Sequence, residues 1–139
     1  MPAEDYKVQW AGQQAVIATP IEIDVVNAGE IRQALRSAAS LGAAVLVIDM
    51  SGTTFCDSAG VGAIIAAYRQ AAATGTQLRL VAPTVLRILT LTGIHQLIPI
   101  YPTLEAALTE TPAAEASPRG PGGTPASADP ADPAAPADT

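Results

Sequence analysis

The sequence predicts an α/β domain, a mixed and mostly parallel sheet flanked by about four helices, followed by a disordered Pro/Ala-rich C-terminal tail. Three observations carry that expectation. Apolar runs at 14–19, 45–50 and 77–82 have the length and composition of buried strands. Segments with apolar residues at helical spacing separate them. Beyond Thr111 the large apolar side chains stop altogether.

The elements follow in order. Residues 5–10 alternate, with Tyr6, Val8 and Trp10 on one half-buried face of an edge strand. The turn Ala11-Gly12-Gln13 makes a hairpin with the strand at 14–19, and Pro20 stops it. Residues 21–26 read as a loop or short extended piece. Asn27 and Glu30 stand in capping-box spacing before a helix with Ile31, Leu35, Ala38 and Ala39 inward and Gly42 as its C′ residue. After the strand at 45–50, a helix from about residue 58 carries Val61, Ile64, Ile65, Tyr68 and Ala72 inward and ends at Gly75. The strand at 77–82 closes at Pro83. Thr84 caps a third helix with Val85, Ile88 and Leu89 inward and Gly93 past its end. Leu97–Ile100 forms a short strand whose Pro99 places it at an edge. Thr103 caps a last helix to about Glu110, with Leu104, Ala107 and Leu108 inward.

A chain of 139 residues fits one domain, here 1–111, with 112–139 as its tail. The tail holds seven of the 12 prolines and nine alanines, and no Val, Leu, Ile, Phe, Trp or Tyr, so it cannot bury enough apolar area to offset its ordering entropy. Aromatic residues are 4% of the chain, which leaves a core of Val, Ile, Leu and Ala. The net charge of −6, with no basic run, argues against nucleic acid as a direct partner. The lone Cys56 excludes an internal disulfide and fits a reducing compartment. No signal peptide and no apolar run of membrane-spanning length is present, so no membrane partner and a cytoplasmic location are expected.

The chemistry concentrates at Thr54-Phe55-Cys56-Asp57-Ser58-Ala59-Gly60-Val61-Gly62, between a strand and a helix. A helix N-terminus offers unpaired N–H groups and the positive end of the macrodipole, which suit a phosphate. Gly60 and Gly62 clear side chains from the first turn, so another molecule's backbone could come close. Ser58 is therefore a candidate phosphate acceptor. It is also a candidate N-cap, as is Asp57; capping is the commoner role at such a spot, and the local sequence leaves both readings open.

Other chemistries lack their parts. His95 stands in a turn after a helix and reads as solvated, Cys56 reads as a small core-facing residue, and no Gly-x-Ser-x-Gly elbow surrounds Ser58. No Walker A, dinucleotide-binding or metal-ligand spacing is present, so no cofactor and no metal are expected. Asp49 ends a strand as a receiver phosphoacceptor would, but the acidic pair such a site needs after its first strand is missing.

Taken in this order, residues 5–110 resemble a STAS domain, the fold of bacterial anti-sigma factor antagonists and of sulfate-transporter tails. The resemblance rests on Asp57-Ser58-Ala59-Gly60-Val61-Gly62 after the strand ending at Asp49, on Ile23-Asp24 with Asn27-Ala28, and on Leu91-Thr92-Gly93-Ile94. Pro20-Ile21 stands where relatives often have glycine, and the tail lies outside the family pattern. The resemblance implies a non-enzymatic anti-sigma factor antagonist (an anti-anti-sigma factor) phosphorylated on Ser58. Its unphosphorylated form would bind an ATP-binding anti-sigma factor serine kinase and release a sigma factor. A phosphatase would fit as the resetting partner. It also implies that Asp24, Asn27, Thr53, Thr54, Asp57, Ser58, Gly60 and Gly62 form the partner surface. Two rivals are an adaptor subunit of a transporter-associated or stress-signalling complex, with Ser58 only a cap, and a hydrolase using Ser58 or Cys56.

Overall fold

The computed structural model describes residues 6–109; the expected domain boundary at 111 and the tail at 112–139 lie outside them. The strands are β1 (Val8–Ala11), β2 (Gln14–Ala18), β3 (Glu22–Ile23), β4 (Val45–Asp49), β5 (Phe55–Cys56), β6 (Gln77–Val81) and β7 (Ile100–Tyr101). The helices are α1 (Ala28–Ala39), α2 (Ser58–Thr74), α3 (Leu86–Leu91) and α4 (Leu104–Thr109), with a 3-10 turn at Ile94–Gln96. The main sheet runs β1-β2-β4-β6-β7. Only β1 is antiparallel; it joins β2 through a two-residue turn in which Gly12 takes φ 64°, a left-handed conformation that glycine adopts without steric cost.

Period-two alternation splits each central strand between two faces. Ala15, Ile17, Leu46, Ile48, Leu78 and Leu80 point into the larger core, against Ile31 and Leu35 of α1, Ile64 and Ala67 of α2, and Leu89 of α3. Val16, Val45, Val47 and Val81 point the other way, where α4 covers them with Ala107. Alanines at Ala34, Ala38, Ala63, Ala67 and Ala71 are buried, so α1 and α2 pack closely with few aromatic side chains.

The second face holds a residue the hydropathy pattern does not foreshadow. Arg79, in the middle of β6, is fully buried. Its Nη1 donates to Ala107 O at 2.6 Å, and its guanidinium lies 5.7 Å from the Tyr101 ring centroid. Gln14 Nε2 donates to Leu108 O at 3.0 Å. The last carbonyls of a helix have no partner within it. Two side chains from the sheet thus satisfy α4 at its C-terminal end, where a cation is also favoured by the helix dipole.

A second sheet, absent from the expected order, consists of β3 and β5 paired in parallel, Glu22 with Phe55 and Ile23 with Cys56. This ribbon sits under the first turn of α2. A methyl group at Gly60 would lie 2.6 Å from both Cys56 Sγ and Ile23 Cγ2, so the helix can rest there only on a glycine. At Gly62 the same methyl would meet nothing within 4 Å.

Several local expectations change. Asn27 precedes α1 but does not cap it with its side chain; the expected capping box gives way to bonds that tie Asn27 back to the preceding loop. Thr84 is not the cap of α3: Val85, whose side chain is buried in the core, holds that position without a side-chain cap bond. Gly42, left-handed at φ 87°, comes two residues after the α1 cap Ser40 rather than directly after it. Ala72 faces solvent, and Ala67 and Ala71 take the inner stripe of α2. The last strand starts at Ile100 rather than Leu97, because the chain first makes the 3-10 turn; it is an edge strand as expected. Tyr6 and Val8 pack on the core, whereas Trp10 is exposed at the hairpin end of edge strand β1.

Two outcomes follow for stability. Gly60→Ala should cost about 1–3 kcal/mol through overpacking, while Gly62→Ala should be neutral or stabilising by up to about 1 kcal/mol; urea melts of both variants check the pair. Arg79→Ala should cost about 2–4 kcal/mol, from a lost charge-assisted hydrogen bond and the cavity left behind. Equal melting of Arg79→Ala and the parent chain would remove Arg79 as the anchor of α4.

Candidate functional site

The site is assembled where the loop after β4 crosses the segment after β2. Thr53 makes the crossing rigid. Its Oγ1 lies 2.6 Å from Pro20 O and 2.6 Å from Thr19 Oγ1, and the residue is fully buried. Main-chain bonds continue the seam: Thr54 N–H donates to Ile21 O at 2.8 Å and Asp57 N–H to Ile23 O at 3.1 Å. Because β3 and β5 are parallel and in register, the chain leaves both at the same end. Asp24 and Asp57 therefore emerge side by side.

The Asp24 loop is braced by its own side chains. Asp24 Oδ1 accepts from Val26 N–H at 3.0 Å. Asn27 Oδ1 accepts from Asp24 N–H at 3.0 Å, and Asn27 Nδ2 donates to Glu22 O at 2.8 Å. Asp24 O takes the N–H groups of Asn27 and Ala28 at 3.2 and 2.8 Å, which starts α1.

At the start of α2 the two capping candidates separate. Asp57 is the N-cap: it has extended backbone, and its Oδ1 accepts from Ala59 N–H at 3.0 Å and Gly60 N–H at 3.2 Å. Ser58 is the first helical residue. Its side chain is exposed and makes no hydrogen bond among the described residues. The hydroxyl is thus unoccupied by any structural task and open to another molecule.

Of the residues expected on the partner surface, Thr54, Ser58 and Gly62 are exposed, and Asp24, Asn27 and Asp57 are half-buried around them. Thr53 and Gly60 stand apart from these. Both are buried, Thr53 because its hydroxyl bonds across the crossing, Gly60 because Ile23 and Cys56 press on it. They shape the surface from beneath.

Four apolar side chains that the sequence reading passed over flank this region. Ile21, Val25, Val26 and Phe55 are 66, 77, 88 and 51% exposed. A signal was present: two adjacent valines in a short turn between capping residues have no core to enter. Large apolar side chains gathered in open solvent mark surfaces that bind other proteins.

Nucleophile chemistry is disfavoured. Cys56 is buried, and burial first, then the neighbouring Asp57 charge, push its thiol up to about 11. His95 is exposed in the 3-10 turn, and its side chain makes no hydrogen bond among the described residues. No group of His, Cys, Asp and Glu among the described residues could hold a metal ion, and no described helix is long and apolar enough to cross a membrane.

Comparison with known proteins bears on this arrangement. The STAS domain family model matches residues 8–107. An anti-sigma factor antagonist from Mycobacterium paratuberculosis is 32% identical, with a TM-score of 0.68 over 75% of this chain and 90% of that one. The anti-sigma factor antagonist SpoIIAA in its unphosphorylated form shares the fold at 23% identity, TM-score 0.60, over 74% of this chain and 92% of that one. The Bacillus cell fate determinant SpoIIAA in the phosphorylated form does so at 22% identity, TM-score 0.56, over 74% and 96%. With the matched residues running from the first strand into the last helix, the chain belongs to the STAS domain family and is similar in structure to anti-sigma factor antagonists.

Proposed function

We propose that this chain is an anti-sigma factor antagonist of the partner-switching kind, turned off by phosphorylation of Ser58. The observation that carries the reading is the division of labour at the start of α2. Asp57 does the capping, so Ser58 Oγ stands exposed with no partner among the described residues. The similarity to the mycobacterial antagonist supports the general role, and exposed Ile21, Val25, Val26 and Phe55 supply apolar contact area around the hydroxyl.

In this reading the partner is an ATP-binding serine kinase that also holds a sigma factor. The unphosphorylated antagonist would dock on it with Asp24, Asn27, Thr54, Asp57 and Gly62 around Ser58. A phosphatase would reverse the mark.

Phosphate would act through charge. It adds about −1.5 to −2 charges. The N–H groups of Ala59 and Gly60 already bond Asp57 Oδ1, so these two helix donors are engaged and do not receive the new group. The phosphate would instead stand beside the carboxylates of Asp57 and Asp24, in a surface rimmed with apolar side chains. A partner that accommodates a neutral hydroxyl would have to desolvate this crowded negative charge.

Stability and binding should then respond to different residues. Ser58→Ala and Ser58→Asp should both melt within about 0.5 kcal/mol of the parent chain, because neither touches the cap, whereas Asp57→Ala should cost about 0.5–2 kcal/mol. By titration calorimetry against the cognate kinase, Ser58→Ala should bind like the parent. Ser58→Asp should bind about 30-fold or more weakly. Phosphosite mapping of the chain from its cells should place phosphate on Ser58. Equal affinities for Ala and Asp, or phosphate only elsewhere, would sink the switch.

A further inference from the structure

The basic residues of the domain are unevenly placed. Three of them, Arg32, Arg36 and Arg69, are exposed and line one open cleft of about 250 Å³ between α1 and α2, together with Ala66 and Gln70. Arg32 and Arg36 stand one turn apart on α1; Arg69 faces them from α2. None of the three has a hydrogen bond or ion pair among the described residues. Like charges one helical turn apart repel, so the cluster is unfavourable as it stands. Each guanidinium carries five donors in a planar fork that matches an oxyanion.

We propose that this cleft binds an oligophosphate, a small soluble anion with two or more linked phosphate groups. Size and charge density select it. The chain carries a net charge of −6, but positive charge is concentrated at the three convergent forks, and at contact range a compact, highly charged anion gains most from them. Phosphate groups carry more charge and more acceptor oxygens in this volume than carboxylates do. No aromatic side chain lines the cleft, so a nucleobase would find no stacking surface and the phosphates alone would be recognised. Small Ala66 keeps the floor open between the arginines. The site is separate from Ser58: Arg69 lies three turns further along α2, roughly 16 Å away. It does not depend on the role given to Ser58.

The test is titration calorimetry of the full chain with sodium pyrophosphate and with tripolyphosphate at low salt. One-site binding is expected, weakening as salt rises. The triple variant R32Q/R36Q/R69Q should bind about tenfold or more weakly with an unchanged melting temperature, since all three side chains are exposed. Ser58→Ala and Asp24→Ala should bind like the parent chain. Citrate should bind more weakly than pyrophosphate, and ADP no more tightly. No binding by the parent chain at millimolar pyrophosphate would overturn the proposal, as would undiminished binding by the triple variant. Loss of binding in Ser58→Ala, or equal affinity for citrate, would overturn it too.

Discussion

The close approach of Gly60 to Ile23 and Cys56 is the constraint on which the site depends. It lets the first turn of α2 settle directly on the β3–β5 ribbon. The ribbon in turn brings the Asp24 loop next to the start of α2, because two parallel strands in register release their chains at one end. With the turn seated, Asp57 caps the helix and Ser58 points outward. A side chain at position 60 would lift the turn and loosen all of these relations together. The buried Thr53 hydroxyl, held between Pro20 O and Thr19 Oγ1, performs the same service one step earlier in the loop.

Charge is distributed along the α1–α2 layer in a way that separates two surfaces. Asp24 and Asp57 gather at the N-terminal ends of the helices, beside exposed apolar side chains. Arg32, Arg36 and Arg69 gather farther along the same pair of helices. Carboxylates near helix N-termini are favoured by the macrodipole, which explains the first group. In the second group Arg36 lies in the last turn of α1, where the dipole favours a cation, but Arg32 and Arg69 have no such local explanation, and the three side chains have no partners within the described residues. The opposite face of the sheet is organised differently. There a buried arginine and a glutamine hold the end of one short helix over four valines. A six-residue helix is too short to persist by itself, so these side-chain bonds and the contacts of Ala107 hold it in place.

Much of the architecture was legible along the chain, and so was the stretch that forms the site. Val45–Ile48 and Leu78–Val81 announce buried strands by length and composition, and Ile31, Leu35, Ala38 and Ala39 announce the inner face of α1 by spacing. Thr103 capping and the left-handed Gly75 and Gly93 were equally plain, since each depends on one residue and its immediate neighbours. Two-residue strands such as β3 and β5 are too short to show a period, so the ribbon left no such signal. Arg79 left none either: an arginine in a strand ordinarily faces water, and its burial rests on partners such as Ala107 O, 28 positions later in the chain.

Sequence by itself determined the order of the main-sheet strands and the four helices, the site stretch and its two possible capping residues, because these follow from periodicity and short-range chemistry. It could not choose between Asp57 and Ser58, because both are good caps and one residue of offset decides which oxygen reaches the helix N–H groups. Tertiary structure made that choice. The bond from Asp57 N–H to Ile23 O and the contact of Gly60 with Ile23 fix where the helix begins, and both join residues more than thirty positions apart. Tertiary structure likewise buried Gly60 and Thr53 beneath the candidate surface. It also set Arg69 beside Arg32 and Arg36, since only the packing of α2 against α1 brings those charges together.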